Sequence, residues 1–475
     1  MKLNAQTENA RTLAAALGIG ENEATELLSV TAAITYDERD DVSAQFAKHV
    51  DRLISRTIRS VLLNQREKEQ NVGVELVIGN AAPRFSAPCV FAAIGEQEVT
   101  IGPARGGPKK ANIHPVGLLL GACYAVGAVL RKAFKDLLPF PSQEILRISL
   151  VELLGGDLPL LYEPIIFDEA YLAGAGAIGN GFIYGLSQFH VRGILHVADD
   201  DAVSDGNLQR CVFFTERDIG LPKAERLCAT MEVILPGIEA VPHNVRLQDV
   251  PGQKSGAWLK RLVVGVDSPR ARRNLQSEIP GEVYDASTTG ISEVVLHFNR
   301  QPTDLACMSC VYYESPEEHA HEKHVATALG VSVEDVKRGR ISESAAATIC
   351  GRYPQLDRSG LVGLSYDTMF KQLCSTGQLI TPEGRQVLAP FAFVSVLAGA
   401  LLAVEFVRRL HNGNADLFNV WHVSPWTNPV LRCRKVLGTN PECEFCGNQT
   451  LVRVARKLWQ ETQVTNSVPT EAVES

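Results

Sequence analysis

Residues between Ala173 and Asp267 are spaced to handle a nucleoside triphosphate. Gly174-Ala-Gly176-Ala-Ile-Gly179 is a G-x-G-x-x-G that follows an apolar run ending at Ala173. In such a turn the first glycine permits the sharp bend, the second lets backbone N–H groups reach phosphate, and the third lets helix and strand pack closely. The helix that starts there offers its positive end to an anion. Alone, the motif fits any Rossmann-like fold, NAD and FAD enzymes included. Asp199-Asp200-Asp201 closes the next apolar run, about where an acid meets a ribose; Asp200 is the least committed of the three. Asn207-Leu-Gln-Arg210 follows, then Lys223 behind Asp218-Ile-Gly-Leu-Pro222, then Asp267 behind the apolar run Arg261–Val266. A dehydrogenase has no evident need for Arg210 and Lys223. A triphosphate has one, because two cations can neutralise the β- and γ-phosphates as pyrophosphate departs. Asp267 at a strand end can hold Mg²⁺, which prefers carboxylate and phosphate oxygens.

Cysteines supply a second chemistry. Cys307-Met-Ser-Cys310 and Cys443-Glu-Phe-Cys446 are two C-x-x-C pairs. Two intervening residues let both thiolates of a pair reach one ion from a tight turn, and four thiolates close a tetrahedral Zn²⁺ site of structural type. The pairs are far apart in the chain, so the fold must bring them together. Free buried thiols and a redox disulfide are the competing readings. His319, His321 and His324 cluster in Glu317–His324 but read as a surface helix, without a metal.

These groups need a scaffold of more than one unit, since 475 residues exceed what a single core supports. With 45% apolar and 21% charged residues the composition is that of a globular protein, and a net charge of -8 argues against a general nucleic-acid surface. Residues 1–70 read as helical. Strands are expected at Val74–Ile78 and Cys89–Ile94, and a helix from Pro115 to about Phe134. From Phe167 a strand, glycine loop, helix, strand alternation points to a parallel α/β sheet. Its helices are expected at Phe182–Phe189 and Leu221–Ile234, and a later strand at Glu293–Phe298. The apolar run Phe391–Val404 is too short for a membrane span and reads as a buried helix. It echoes an earlier helix: Gly121–Arg131 resembles Gly399–Arg409, as a duplication would produce. The polar segment Met1–Arg11 has no apolar core of a secretory signal, which with an odd number of scattered cysteines favours the cytoplasm.

From Ala173 to Asp267 the order glycine loop, D-x-D, N-L-x-R, G-x-P-K and strand-end aspartate resembles the adenylation domain of the ThiF/MoeB/E1-type family. That family joins ubiquitin-type E1 enzymes with the bacterial sulfur-carrier activators of thiamine and molybdopterin synthesis. The long N-terminal half looks most like bacterial E1 proteins of ubiquitin-like conjugation operons. The resemblance implies that Asp199 binds ribose, that Asn207, Arg210 and Lys223 contact phosphates, and that Asp267 supports Mg²⁺. Asp201 and the three glycines complete the ATP-binding set. Cys211 stands where the family usually has glutamine. Paired C-x-x-C motifs in corresponding places are common in the family.

The resemblance also implies a fold: a Rossmann-like adenylation domain with a mainly parallel sheet, preceded by a helical and degenerate, inactive adenylation-like domain. The expected divisions are 1–150 for the N-terminal domain, 151–300 for the ATP-binding domain, 301–458 for crossover segment, apolar helix and zinc knuckle, and 459–475 for a tail. The implied function is ATP-dependent adenylation of a ubiquitin-like protein ending in glycine, then a thioester on a crossover cysteine, then transfer to an E2-like protein. Cys374, in Leu373-Cys-Ser-Thr-Gly377, is preferred for the thioester over Cys350, beside which Arg352 could favour the thiolate. A homodimer is implied, with neither nucleic acid nor membrane as partner. Two alternatives stand beside it: a sulfur-carrier adenylyltransferase that stops before an E2, and a non-catalytic scaffold that binds the ubiquitin-like protein.

Overall fold

A computed structural model describes residues 3–65, 71–106, 112–251, 256–314, 316–364, 366, 369, 373, 389–412, 418–429 and 433–465. The chain divides into a larger unit, Met1–Tyr312 with Ala389–Ser475, and a smaller one, Tyr313–Leu388.

The larger unit holds a six-stranded and an eight-stranded sheet. The first contains β1 (Thr31–Thr35), β2 (Ser60–Leu63), β3 (Val74–Ile78), β4 (Cys89–Ile94), β5 (Glu98–Gly102) and β6 (Leu146–Ser149), in the order β2-β1-β3-β4-β5-β6. Its first four members in that order are parallel, and β5 and β6 are antiparallel. Helices α1 (Leu3–Leu17), α2 (Glu21–Leu28), α3 (Asp41–Ile54) and α4 (Pro115–Ala133) accompany it. The expectation of a wholly helical start to residue 70 fails at β1 and β2. Ala32–Ile34 is held on both sides, by β2 and by β3, and this pairing outweighs the helical propensity of its alanines.

Helix α3 begins where the Asp40 carboxylate accepts the N–H of Val42 at 3.2 Å. It buries Phe46, Val50 and Leu53, one stripe at helical spacing. Helix α4 starts at Pro115, a residue suited to the first helical position, and is buried nearly all round. By length and composition it could cross a membrane, but here it is a core helix.

The second sheet contains β7 (Ile165–Ala173), β8 (Val191–Ala198), β9 (Ile238–His243), β10 (Arg261–Val264), β11 (Glu282–Thr289), β12 (Glu293–Arg300), β13 (Val420–Val423) and β14 (Arg434–Lys435). The order is β14-β13-β12-β11-β10-β7-β8-β9. The stretch from β9 through β8, β7 and β10 to β11 is parallel, and β12 to β14 are antiparallel. Helices here are α5 (Leu150–Leu154), α6 (Ala177–Leu186), α7 (Lys223–Ile234), α8 (Pro269–Ser277), α9 (Met308–Val311), α14 (Ala392–Asn412) and α15 (Gln449–Thr465). Helix α6 starts directly behind Gly176, five positions before the expected Phe182.

Helices α6 and α14 touch backbone to backbone. A Cβ on Gly399 would lie 2.2 Å from the carbonyl carbon of Gly181, and a Cβ on Gly181 would lie 2.7 Å from the Ser395 carbonyl oxygen. Helix α14 also packs against α4, and each of the two lies on its own sheet.

The smaller unit contains α10 (Pro316–Leu329), α11 (Val333–Arg338), α12 (Glu343–Arg352) and α13 (Arg358–Leu361) around Val325, Leu329, Val336, Ile349 and Leu361. Ser332 and Ser342 cap α11 and α12 by accepting N–H groups of Asp335 and Ala345.

Candidate active site

From β7 the chain builds outward to β8 and β9, then crosses back to place β10 on the other side of β7. The strand ends of β7 and β10 therefore face a switch point, where α/β sheets open a ligand crevice. Gly174 leaves β7 there with φ +99°, and Gly265 leaves β10. A Cβ on Gly174 would stand 2.9 Å from the Gly265 carbonyl carbon, and a Cβ on Gly179 would stand 2.2 Å from the Gly174 carbonyl oxygen. Glycine is thus required at both. Gly176, at the N-terminus of α6, differs: among the described residues, its chain neighbours aside, a Cβ there meets no atom within 4 Å. The open space lies in front of the helix N-terminus, where an anion is favoured.

Asp199, just past β8, ties this loop down. Its Oδ2 accepts the N–H of Ala175 at 2.7 Å and its Oδ1 the N–H of Asp201 at 2.9 Å. Burial pushes the carboxyl up to about 6; Lys223 opposes the rise and Asp201 adds to it. Lys223 opens α7, with Nζ donating to Asp201 Oδ2 at 2.8 Å. Burial works against its charge, but Asp199 and Asp201 outweigh that and hold the ammonium well above the usual lysine range.

Asn207 is buried, and its Oδ1 accepts the Ser204 N–H at 2.9 Å, closing the short turn before Arg210. Arg210 donates from one Nη to the Gly206 carbonyl at 2.7 Å, and a guanidinium has further donors to offer. Asn180 links this segment to the glycine loop. Its Nδ2 donates to the carbonyls of Ala175 and Gly176, both at 2.9 Å, and its Oδ1 accepts the Phe213 N–H at 3.1 Å. Asn180 belongs to no motif of the sequence; its one signal there is its place directly behind the third glycine.

Asp267 is exposed past the end of β10, across the switch point from the glycine loop. Ser268 caps the following α8 by accepting the Ala271 N–H at 3.1 Å. Arg272 fixes that helix through Asp285 Oδ1 and the Ala286 carbonyl, both at 2.8 Å, beneath the ring of Tyr312.

Cys307, Cys310, Cys443 and Cys446 do meet. The Sγ separations are 3.7 Å for 307–310, 3.7 Å for 307–443, 3.5 Å for 310–446 and 3.4 Å for 307–446. These are far beyond the roughly 2.05 Å of a disulfide. Sulfurs about 2.3 Å from a tetrahedral ion stand about 3.8 Å apart, so the donor set fits one.

Cys374 lies outside the described residues. Cys350, in α12, is half-buried, with Sγ 3.5 Å from the Leu356 carbonyl. Arg352 donates from one Nη to the Thr327 carbonyl at 2.8 Å. His319 stands 3.6 Å from Glu322, a carboxylate that Lys337 approaches to 3.9 Å.

Residues 165–445 match the ThiF family, and residues 1–146 match the E1 N-terminal domain. The chain belongs to the ThiF family. The family is one of E1-like adenylating enzymes that use ATP. This member is 26% identical over 438 residues to the uncharacterized protein y4jF of Sinorhizobium fredii, covering 87% of this chain and 80% of that one. It is 28% identical over 157 residues to the SAMP-activating enzyme E1 of Haloferax volcanii, covering 32% of this chain and 56% of that protein. Against the NEDD8-activating enzyme E1 catalytic subunit of Caenorhabditis elegans it is 31% identical over 115 residues, 24% of this chain and 26% of the subunit. A solved structure of Escherichia coli MccB with ATP aligns over 75% of this chain and 98% of that one, at 14% identity and a TM-score of 0.36.

Proposed function

We propose that this ThiF-family enzyme adenylates the C-terminal carboxylate of a small ubiquitin-like protein ending in glycine. The observation that supports the reading is a glycine loop with an open helix N-terminus at Gly176, tied through Asp199 to the neighbourhood of the Lys223–Asp201 pair and abutting Gly265, two residues before the exposed Asp267. Support for a protein substrate comes from the match to the E1 N-terminal domain and the similarity to E1 proteins for SAMP and NEDD8.

In this reading Asp199 accepts from the ribose, and Gly174, Gly176 and Gly179 shape the phosphate cradle. Asn207, Arg210 and Lys223 hold the β- and γ-phosphates. A carboxylate oxygen of the substrate forms a bond to the α-phosphorus while the bond to the bridging oxygen breaks, and pyrophosphate leaves with the electron pair. Asp267 suits Mg²⁺, which would supply charge neutralisation at the phosphate oxygens. The four cysteines suit a structural Zn²⁺ that ties the C-terminal segment to the end of β12. The second step is attack by the thiolate of Cys374, or of Cys350, on the acyl carbon. AMP departs with the electrons of the broken C–O bond, and the thiol proton passes to water. Transfer to an E2-like protein, a homodimeric state and a cytoplasmic location complete the proposal.

We assign residues 1–150 a non-catalytic role. The first β–α turn of that sheet, Tyr36–Asp40, carries Asp37, Glu38 and Asp40 where the second sheet carries glycines; Arg39 pairs with Asp37, and the remaining carboxylate charge repels phosphate.

The test is ATP–pyrophosphate exchange with small glycine-ended proteins, in wild type and Asp267→Ala. Exchange that needs both carrier and Asp267 supports the reading. ATP binding without exchange for any carrier would redirect it to a scaffold. Intact mass under non-reducing conditions then locates the thioester.

A further inference from the structure

The residue that holds the Asn207–Phe214 segment from its other side belongs to the N-terminal domain. Arg56, just past α3, donates from Nη1 to the Leu208 carbonyl at 2.6 Å and the Phe214 carbonyl at 3.0 Å, and from Nη2 to the Val212 carbonyl at 3.0 Å. Three carbonyl oxygens converging on one point repel one another unless a cation sits between them, and the planar guanidinium supplies both the charge and the fork of donors. The backbone of Arg56 is itself fixed, since its carbonyl accepts from Asn9 Nδ2 at 2.7 Å.

Helix α3 reinforces the contact one and two turns earlier. Arg52 lies over the rings of Tyr184 and Phe213, 5.2 and 5.7 Å from their centres. His49 Nδ1 and the Tyr184 hydroxyl are hydrogen-bonded at 2.6 Å. The segment is therefore gripped twice: by Asn180, which takes the Phe213 N–H and connects to the glycine loop, and by Arg56, which takes the carbonyls on either side of it.

We infer that Arg56 is a positioning residue for the triphosphate. It sets, from the N-terminal domain, where Asn207 and Arg210 stand relative to the glycine loop. Its own Nη donors are directed at the protein backbone, so its effect on nucleotide runs through that segment. The inference rests on the proposed assignment of Asn207 and Arg210 to the phosphates. It goes further by giving the N-terminal domain a defined part in ATP selection: the contacts it controls reach the β- and γ-phosphates, so they discriminate ATP from AMP.

The test compares ATP and AMP dissociation constants, together with melting temperature, in full-length wild type, Arg56→Ala, Arg56→Lys and Arg210→Ala. The expected result for Arg56→Ala is ATP affinity lowered about tenfold or more, the scale of a lost set of charged hydrogen bonds, with AMP affinity within about twofold of wild type. Arg56→Lys keeps the charge and loses the fork, so ATP affinity falls severalfold in a chain that remains folded; this variant decides the matter if the alanine variant does not fold. The inference is overturned if Arg56→Lys binds both nucleotides as wild type does, or if ATP and AMP affinity fall together in step with melting temperature. Arg210→Ala separates the two levels of the argument. If it binds ATP normally, the phosphate assignment is wrong and the inference falls with it. If it weakens ATP alone while Arg56 variants do not, only the inference is wrong.

Discussion

Lys223 and Asp201 are joined twice: the lysine ammonium donates to the aspartate Oδ2 at 2.8 Å, and the lysine N–H donates to the aspartate carbonyl at 3.0 Å. One pair thus fastens the start of α7 to the turn that follows β8 through side chain and main chain together. The same ammonium also balances the buried Asp199.

Lys223→Ala is expected to leave two carboxylates without their cation. Stability falls by roughly 2 kcal/mol, and ATP affinity falls tenfold or more. Adding Asp201→Asn returns much of the melting temperature but none of the ATP affinity. Thermal unfolding and nucleotide titration of both variants check this; recovery of ATP binding in the double variant would remove Lys223 from the phosphates.

The glycines of the loop are expected to separate stability from binding. At Gly179 a Cβ collides with the Gly174 carbonyl oxygen, so Gly179→Ala lowers both melting temperature and ATP affinity. At Gly176 the space is open, so Gly176→Ala keeps the melting temperature and still loses ATP, because the methyl occupies the place of a phosphate. Equal behaviour of the two variants contradicts this account.

Asp267→Ala is expected to abolish carrier-dependent pyrophosphate exchange, by a hundredfold or more on the scale of a lost charge-stabilising contact, with a stability change of about 0.5 kcal/mol for an exposed position. Residual exchange near wild-type level would move Mg²⁺ to another carboxylate.

One Zn²⁺ per chain is expected by elemental analysis. Removing it with a strong chelator, or replacing Cys443 and Cys446 by serine, lowers the melting temperature and frees thiols to titration. A chain that holds no zinc and keeps its melting temperature in the serine variant speaks for plain buried thiols.

Acid sensitivity follows from His49 and His114, each pushed down to about 4 by burial. The folded value lies below the ordinary 6.5, so as pH falls from 6.5 the unfolded chain takes up these protons first. Stability present above pH 6.5 is lost progressively down to about 4, by roughly 3 kcal/mol per histidine. Asp199 works the other way: its carboxyl, raised to about 6, is protonated first in the folded chain. With two histidines against one aspartate, this set favours a net loss between pH 6.5 and 4. Urea midpoints across that range check it, and His49→Gln is expected to flatten the dependence.

Much of the second sheet was legible because local pattern and position coincide there. The glycine loop sits between an apolar run and a helix, and β7, β8 and α7 follow the alternation that a parallel sheet imposes. Strand β1 was not legible: Thr-Ala-Ala-Ile-Thr carries no alternation, and its neighbours β2 and β3 decide its state. The bridging of Asn180 to Phe213 and of Arg56 to Leu208, Val212 and Phe214 left no mark in local composition, because each is a contact between residues distant in the chain. The meeting of the two C-x-x-C pairs was legible from ligand chemistry alone, which demands what the intervening chain conceals.

The bare contact of Gly181 with Gly399 orders events during synthesis. Ribosomes add about 5–20 residues per second, so α6 emerges roughly 10–45 s before the helix that covers it. For that interval the Gly181 face of the newly made glycine-loop helix lacks the helix that covers it, while the N-terminal strands, from β1 to β6, have all been synthesised. Arg56 and α3 are thus on hand before the segment they grip is translated, and the early half can serve as the surface on which the nucleotide-binding half is assembled.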